Sequence, residues 1–376
     1  MNEDKKMFEK EKRLIVLLSR VCDLSEQKDE VYGLVKDKTL RWDVVVKYLC
    51  RTKVMGLFWS GLKTLRYDIY VPTNIARILE FYYLGNEERN KIILREYEAL
   101  SKMISESGLK VAPLKGISLL NRTYTDLGAR QLNDIDLLVS HRDKDALDKL
   151  LLSKGFLHGH IEYDEEGKTT ISKFDRMEEI IWKTKMNNLP PFYKVLGDKW
   201  CNILDIDCSF ALDYRMLFDD VTAIIDERLV SNGSGYELCP EDFFIQICCH
   251  LYKEASNASW VVLGNDLNII KFCDVREFFY KYVTKEVWNR IVEYSNEKEY
   301  NKAIYFCLYY LELIYGDDIP YDYKAELKLE DEDFLYEFGK REYGEAKKWK
   351  KEFMDRLFEG SLDEIDVEEN RFQLIR

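Results

Sequence analysis

Histidine is scarce: the chain of 376 residues contains four. His158 and His160 come closest to a cluster, and neither has a cysteine at the spacing of a zinc ligand pair. The nine cysteines form no C-x-x-C, and Cys248 and Cys249 are adjacent within a helix-patterned segment. This usage argues against structural zinc and for reduced, mostly buried thiols. No apolar run approaches the ~20 residues that span a bilayer. The opening MNEDKKMFEKEKR reads as a charged helix start rather than a secretory signal. No membrane partner is expected, and the cytoplasm is the expected compartment. Walker A and G-x-S-x-G elements are also missing. Basic charge is in deficit, with 56 Lys+Arg against 69 Asp+Glu and a formal net charge of −13. Such a surface does not favour phosphate backbones, so an extended nucleic-acid track is not expected.

What is present is an ordinary globular mixture, long enough for two or three sub-domains. Residues 1–108 read as a helical N-terminal region. LIVLLSRVCDL, WDVVVKYLCRTKVMGLFWSGL and NIARILEFYYLGNEERNKIILREYEALSKMISES repeat apolar residues at three- and four-residue steps. Pro72 marks the start of the third segment, and Trp42, Trp59, Phe81, Tyr82 and Tyr83 are read as core. Residues 109–235 read as an α/β block. It has a strand at Leu109–Leu114, a helix opened by Gly116, a strand at Ile135–Val139 and a hairpin around Glu165-Glu166-Gly167. Another strand is expected at Glu178–Lys185, a loop through NNLPPFYKVLGDKW, and a strand at Cys201–Phe210. Residues 236–318 return to helical spacing and are expected to complete a cleft. Residues 319–376 form a charged tail in which Asp331–Gly360 reads as one amphipathic helix, a candidate contact for a protein partner.

The densest chemistry lies in VAPLKGISLLNRTYTDLGARQLNDIDLLV, residues 111–139. Asp134 and Asp136 are separated by Ile135 alone, and alternation along a strand puts both carboxylates on one face. Two such charges need a cation, a proton or a basic group between them, and oxygen ligands at this spacing suit Mg²⁺. An acidic pair entering the apolar run Leu-Leu-Val is a poor choice for stability alone. LDIDCSF offers two further carboxylates, Asp205 and Asp207, again on one face. At Lys115-Gly116-Ile117-Ser118, a strand-to-helix turn offers a glycine for close backbone approach, a helix N-terminus for anions, an ammonium and a hydroxyl.

LKGISLL, GARQLNDIDLLV and DKDALDKLLLSKGF together resemble a nucleotidyltransferase family of the polymerase-β superfamily, the uncharacterised, NTP_transf_5-like branch. The resemblance runs from about Asn86 to about Phe279. It implies an α+β fold: a polymerase-β-like core of small mixed sheet and helices, flanked by helical regions. It implies Mg²⁺, or Mn²⁺ in its place, held by three carboxylates, with a nucleoside triphosphate (NTP) as co-substrate. Family members commonly carry an acidic residue, an aliphatic residue and then His-Trp on the third strand. That pattern sets Asp205 as the third carboxylate, while Asp207-Cys208 departs from it and keeps Asp207 open as a metal ligand. Asp134, Asp136 and Asp205 are thereby implied to be catalytic. Lys115, Gly116, Ser118, Arg130 and Lys271 are implied to contact the nucleotide, although Gly116-Ile117 departs from the common Gly-Ser or Gly-Gly. Arg130 could instead brace the loop by pairing with an aspartate. His250, Lys253, Lys271 and Asp274 fall on a polar helical motif of the family; a surface ion pair between Lys271 and Asp274 is the plainer reading.

The implied reaction is transfer of a nucleoside monophosphate from NTP to an acceptor hydroxyl, with release of pyrophosphate. The acidic balance favours a small molecule or a protein as acceptor. Two other readings stand beside it: a nucleotide-binding sensor or interaction protein without turnover, and the nucleotidylating toxin of a toxin–antitoxin pair.

Overall fold

A computed structural model describes residues 8–185, 188–197, 202–212, 218–233, 235–298, 300–316, 319, 321–340 and 344–365. The chain forms two compact units. One comprises Met1–Leu84, Gly128–Arg130 and Ile247–Arg376; the other comprises Gly85–Leu127 and Gln131–Gln246. They are called here the helical unit and the sheet unit. The whole is a mixed α/β protein with a small mixed sheet.

The chain begins in the helical unit with α1 (Glu9–Leu18), α2 (Lys28–Lys36), α3 (Trp42–Thr52) and α4 (Met55–Leu65). Leu14, Ile15, Leu17 and Leu18 of α1 are fully buried, at about 1.5–3 kcal/mol of favourable transfer each. Next comes α5 (Thr73–Glu106), which starts directly after Pro72, a residue that fits a helix's beginning but not its interior. Its residues divide between the two units. Of the aromatics expected in the core, Trp59 is buried, but Phe81 is 69% exposed and Trp42, Tyr82 and Tyr83 are half-buried. Helical period alone places a residue on a stripe without saying how wide the covered stripe is.

The sheet unit holds β1 (Val111–Leu114), α6 (Lys115–Arg122), β2 (Ile135–Val139) and α7 (Lys144–Ser153). Then follow β3 (Leu157–His158), β4 (His160–Tyr163), β5 (Thr169–Ser172), α8 (Arg176–Lys185), β6 (Phe192–Val195) and β7 (Ile203–Ser209). The five-stranded sheet has the order β1-β2-β7-β6-β3. β2 and β7 pair in parallel at its centre, and every other pairing in it is antiparallel. All five residues of β2 are buried, as suits a strand covered on both faces. β7 alternates half-buried and buried residues, with Leu204, Ile206 and Cys208 inward.

Gly159 separates β3 in the main sheet from β4 in its own hairpin. A Cβ there would lie 1.8 Å from the Ser172 carbonyl oxygen, an approach that only glycine permits. The hairpin turns where the sequence predicts it. Asp164 Oδ1 accepts from the backbone N–H of Glu166 (3.1 Å) and Lys168 (2.7 Å), and Gly167 takes φ 77°.

Two expectations for this unit need correction. Glu178–Lys185 lies in helix α8, not a strand. Asp175 Oδ1 accepts from the N–H groups of Met177 and Glu178, and Glu178 Oε2 accepts from the Asp175 N–H, a reciprocal capping box. The stretch expected as a loop, residues 187–200, contains β6, which joins β7 antiparallel. The expectations for residues 186–187 and 198–201 lie outside the described residues.

Past α9 (Phe218–Ala223), β8 (Val230–Ser231) and β9 (Tyr236–Glu237), α10 (Pro240–Ala255) leads back into the helical unit. There α11 (Ala258–Val262), α12 (Ile269–Tyr282), α13 (Lys285–Lys298) and α14 (Asn301–Tyr315) follow, with Phe272, Phe278, Trp288 and Leu311 fully buried. Beyond α15 (Tyr321–Ala325) the tail is not one long helix. It contains β10 (Glu337–Phe338), β11 (Lys347–Lys348) and α16 (Phe353–Glu359). Gly360 adopts φ 81° directly after α16 and ends it, while Gly339 (φ 71°) follows β10 and Gly344 (φ 77°) precedes β11. Its apolar residues Phe334, Leu335, Phe338, Phe353 and Leu357 are buried in spite of the surrounding charge. The eight cysteines among the described residues are free thiols, five of them buried; Cys201 lies outside.

Candidate functional site

β1 passes into α6 with no intervening loop. Leu114 is extended, at φ −110° and ψ 165°, and Lys115 already begins the helix. A corner that abrupt puts Lys115 at φ 45°, in the left-handed region, at a cost of about 1–2 kcal/mol for an L-residue with a side chain. The positive φ falls on Lys115 and not on its neighbour Gly116, which the sequence marked as the point of close backbone approach. Such strain gathers where surrounding structure fixes a residue for use.

The corner faces β2. Leu114 pairs with Asp136 in the antiparallel ladder, and Lys115 Nζ donates to Asp136 Oδ1 at 2.7 Å. Asp136 is 6% exposed. In turn, Asp136 pairs with Asp207 across the parallel β2–β7 ladder. Asp134, Asp136 and Asp207 bring one carboxylate oxygen each to within 4.8 Å of one another. Asp205 lies on the same face of β7, as alternation requires, but its position is opposite Tyr193 of β6 and it is not a member of this group. Among the described residues the cluster thus contains Asp207, which the sequence held open as a metal ligand, and not Asp205, which it favoured as the third carboxylate. The parallel register decides which of the two stands beside Asp136, and that register is not written in LDIDCSF.

Two backbone-directed bonds fix the loop that carries Asp134. Asn90 Nδ2 donates to the Leu127 carbonyl at 2.7 Å, and Arg89 Nη2 donates to the Asn133 carbonyl at 3.1 Å. Both donors stand on the α5 residues of the same unit. Ser118 is 1% exposed, and its hydroxyl has no hydrogen-bond partner among the described residues. Burial on its own would lower the pKa of the Lys115 ammonium. The carboxylate of Asp136, with those of Asp134 and Asp207 behind it, outweighs burial and holds that pKa above its ordinary value. The thiol of Cys208 is pushed well up, by burial first and then by the charges of Asp207 and Asp136. It is therefore no thiolate nucleophile. The oxygen-only donor set of three converging carboxylates fits a hard divalent cation such as Mg²⁺ or Mn²⁺.

Two of the residues expected to contact the nucleotide belong to the helical unit, where each carries its charge in an ion pair. Arg130 pairs in fork fashion with Asp274: Nε to Oδ1 at 2.8 Å and Nη2 to Oδ2 at 2.7 Å. Lys271 forms an ion pair with Glu254, which also takes His250 Nε2 at 3.3 Å. Lys271 and Asp274 are thus committed to different partners rather than to each other.

With these positions known, the comparison with protein families is direct. The profile of one family, described as uncharacterised nucleotidyltransferase, matches residues 38–316. The chain belongs to that family. The match reaches past both ends of the Asn86–Phe279 resemblance, taking in α3 and α4 at one end and α13 and α14 at the other. No curated protein and no solved structure matches the chain. Among the described residues no helix is long and apolar enough to cross a membrane.

The pairing of Lys115 with Asp136 was missed in the sequence, where Lys115 was assigned to phosphate alone. No local signal announced it: a helix and a loop separate β1 from β2, a connection that more often serves parallel strands, and only the antiparallel pairing of β1 with β2 sets Lys115 and Asp136 at the same end.

Proposed function

We propose that this family member is an active, Mg²⁺-dependent nucleotidyltransferase with a polymerase-β-like core, moving a nucleoside monophosphate from NTP to an acceptor hydroxyl. The observation that carries the reading is the convergence of Asp134, Asp136 and Asp207, contributed by the β2 entrance and by β7, in a chain of a nucleotidyltransferase family. A divalent ion held by these three carboxylates would supply charge neutralisation at the attacking and leaving oxygens.

The remaining chemistry belongs to the chain. The N-terminal N–H groups of α6 attract the triphosphate, and Lys115 neutralises part of its charge. Ser118, in the first turn, offers a hydroxyl donor. The acceptor oxygen forms a bond to the α-phosphorus while the bond from that phosphorus to the bridging oxygen of the β-phosphate breaks, and pyrophosphate leaves with the electron pair. Asp207, half-buried where Asp136 is buried, takes the hydroxyl proton. The formal charge of −13 favours a small-molecule or protein acceptor over nucleic acid.

The test is pyrophosphate release from the four NTPs over a panel of acceptors. Asp136→Asn and Asp207→Asn preserve size and remove one charge each. Because ~1.4 kcal/mol is tenfold in rate and charge clamping supplies several, each should slow transfer by about 10²-fold or more. Asp205→Asn should cost far less. Robust turnover by Asp136→Asn would end the proposal. Binding of NTP by the wild type with no release of pyrophosphate from any acceptor would make the protein a sensor.

A further inference from the structure

We propose that Lys115 is a built-in competitor for the cation seat, so that metal and polyphosphate each promote binding of the other by moving the same ammonium. The inference rests on the cation-site reading above and adds the coupling.

The ammonium of Lys115 is bonded to Asp136 Oδ1 at 2.7 Å, inside a group whose three carboxylates lie within 4.8 Å of one another. A divalent ion bound by that group and an ammonium bonded to Asp136 draw on the same carboxylate. Lys115 also stands at the first residue of α6, whose N–H groups favour an anion. One side chain therefore has two electrostatic destinations: the carboxylates on β2 and β7, or a polyphosphate at the helix start. Lysine suits such an exchange, being a compact point charge on a flexible four-carbon stem. Its side chain is 28% exposed, so it has solvent to move into, whereas that of Asp136 is 8% exposed and stays put. The left-handed backbone at Lys115 fixes where the stem begins and leaves the ammonium as the moving part. A divalent ion that takes the seat releases the ammonium towards phosphate, and a polyphosphate that draws the ammonium away clears the seat. The coupling is reciprocal by linkage.

Mn²⁺ alone is the probe, titrated into the full-length protein in the absence of nucleotide and followed by the electron paramagnetic resonance of the free ion. Lys115→Met should bind Mn²⁺ at least tenfold more tightly than the wild type, and Lys115→Gln should do the same. Lys115→Arg, which keeps a cation, should stay near wild type. Calorimetry with inorganic triphosphate in EDTA should show weaker binding to Lys115→Met. Equal Mn²⁺ affinity in wild type and both neutral variants, with native circular dichroism, would overturn the competition while leaving the cation site intact. Weaker Mn²⁺ binding by the neutral variants would overturn it too, showing that Lys115 organises the carboxylates instead of competing for them. Failure of the site itself reads differently: adding Asp136→Asn to Lys115→Met would then leave Mn²⁺ binding unchanged.

Discussion

Arg130→Met is the sharpest test of how the helical unit is held. The guanidinium makes two parallel bonds to Asp274, at 2.8 and 2.7 Å, and the side chains are 11% and 7% exposed. Methionine keeps much of the stem's volume and removes the charge. The carboxylate of Asp274 is then left in a water-poor site with its main partner gone. Removing one member of a buried pair costs about 3–5 kcal/mol, whereas replacing both with apolar residues of similar volume is near neutral or stabilising. At roughly 2–4 °C per kcal/mol for a domain of ~150–250 residues, the single variant should melt about 6–20 °C lower. Arg130→Met combined with Asp274→Leu should recover most of that loss. Differential scanning calorimetry reads both. If Arg130 instead served mainly as a phosphate ligand, Arg130→Met would keep its melting temperature and lose triphosphate affinity. That result, or a double variant as unstable as the single, would refute the brace.

Asp175→Ala removes the acceptor that caps α8 and should cost about 0.5–2 kcal/mol, seen as faster amide exchange confined to residues 176–185; unchanged protection there would mean the capping box contributes nothing. Gly128→Ala would drive a Cβ to within 2.4 Å of the Tyr83 ring, and should lower stability by about 1–3 kcal/mol in urea titration. Pairing it with Tyr83→Ala should relieve the clash, and no relief would point to the backbone at Gly128 instead.

The centre of the fold was legible because its signals are local. Ile135–Val139 is an apolar run of strand length led by charge, and it forms β2 as read. The turn at Glu165-Glu166-Gly167 announced its hairpin, to which the structure adds the Asp164 carboxylate as the acceptor that closes it. α5 begins where Pro72 says a helix can begin. The failures have two causes. Glu178–Lys185 was expected as a strand, while Asp175 and Glu178, three apart, spell a helix start at its head. The tail was read by the period of its apolar residues, with no weight given to glycines at 339 and 344. One matter left open in the sequence could not be read locally: Asp205 and Asp207 share a face, and only the pairing of β7 with β2 says which of them stands beside Asp136.

That pairing also fixes when, along the folding route, the three aspartates can meet. β1, α6 and β2 are consecutive, so Lys115 and Asp136 can find each other through short-range chain closure. Asp207 arrives only after residues 140–202 have been looped out and a parallel register found, a contact of high sequence separation and correspondingly slow. A nascent chain that ends before β7 carries Asp134, Asp136 and Lys115 but lacks the third oxygen. The same delay gives the lysine an early task, because it shields the acidic strand before the second acidic strand docks beside it.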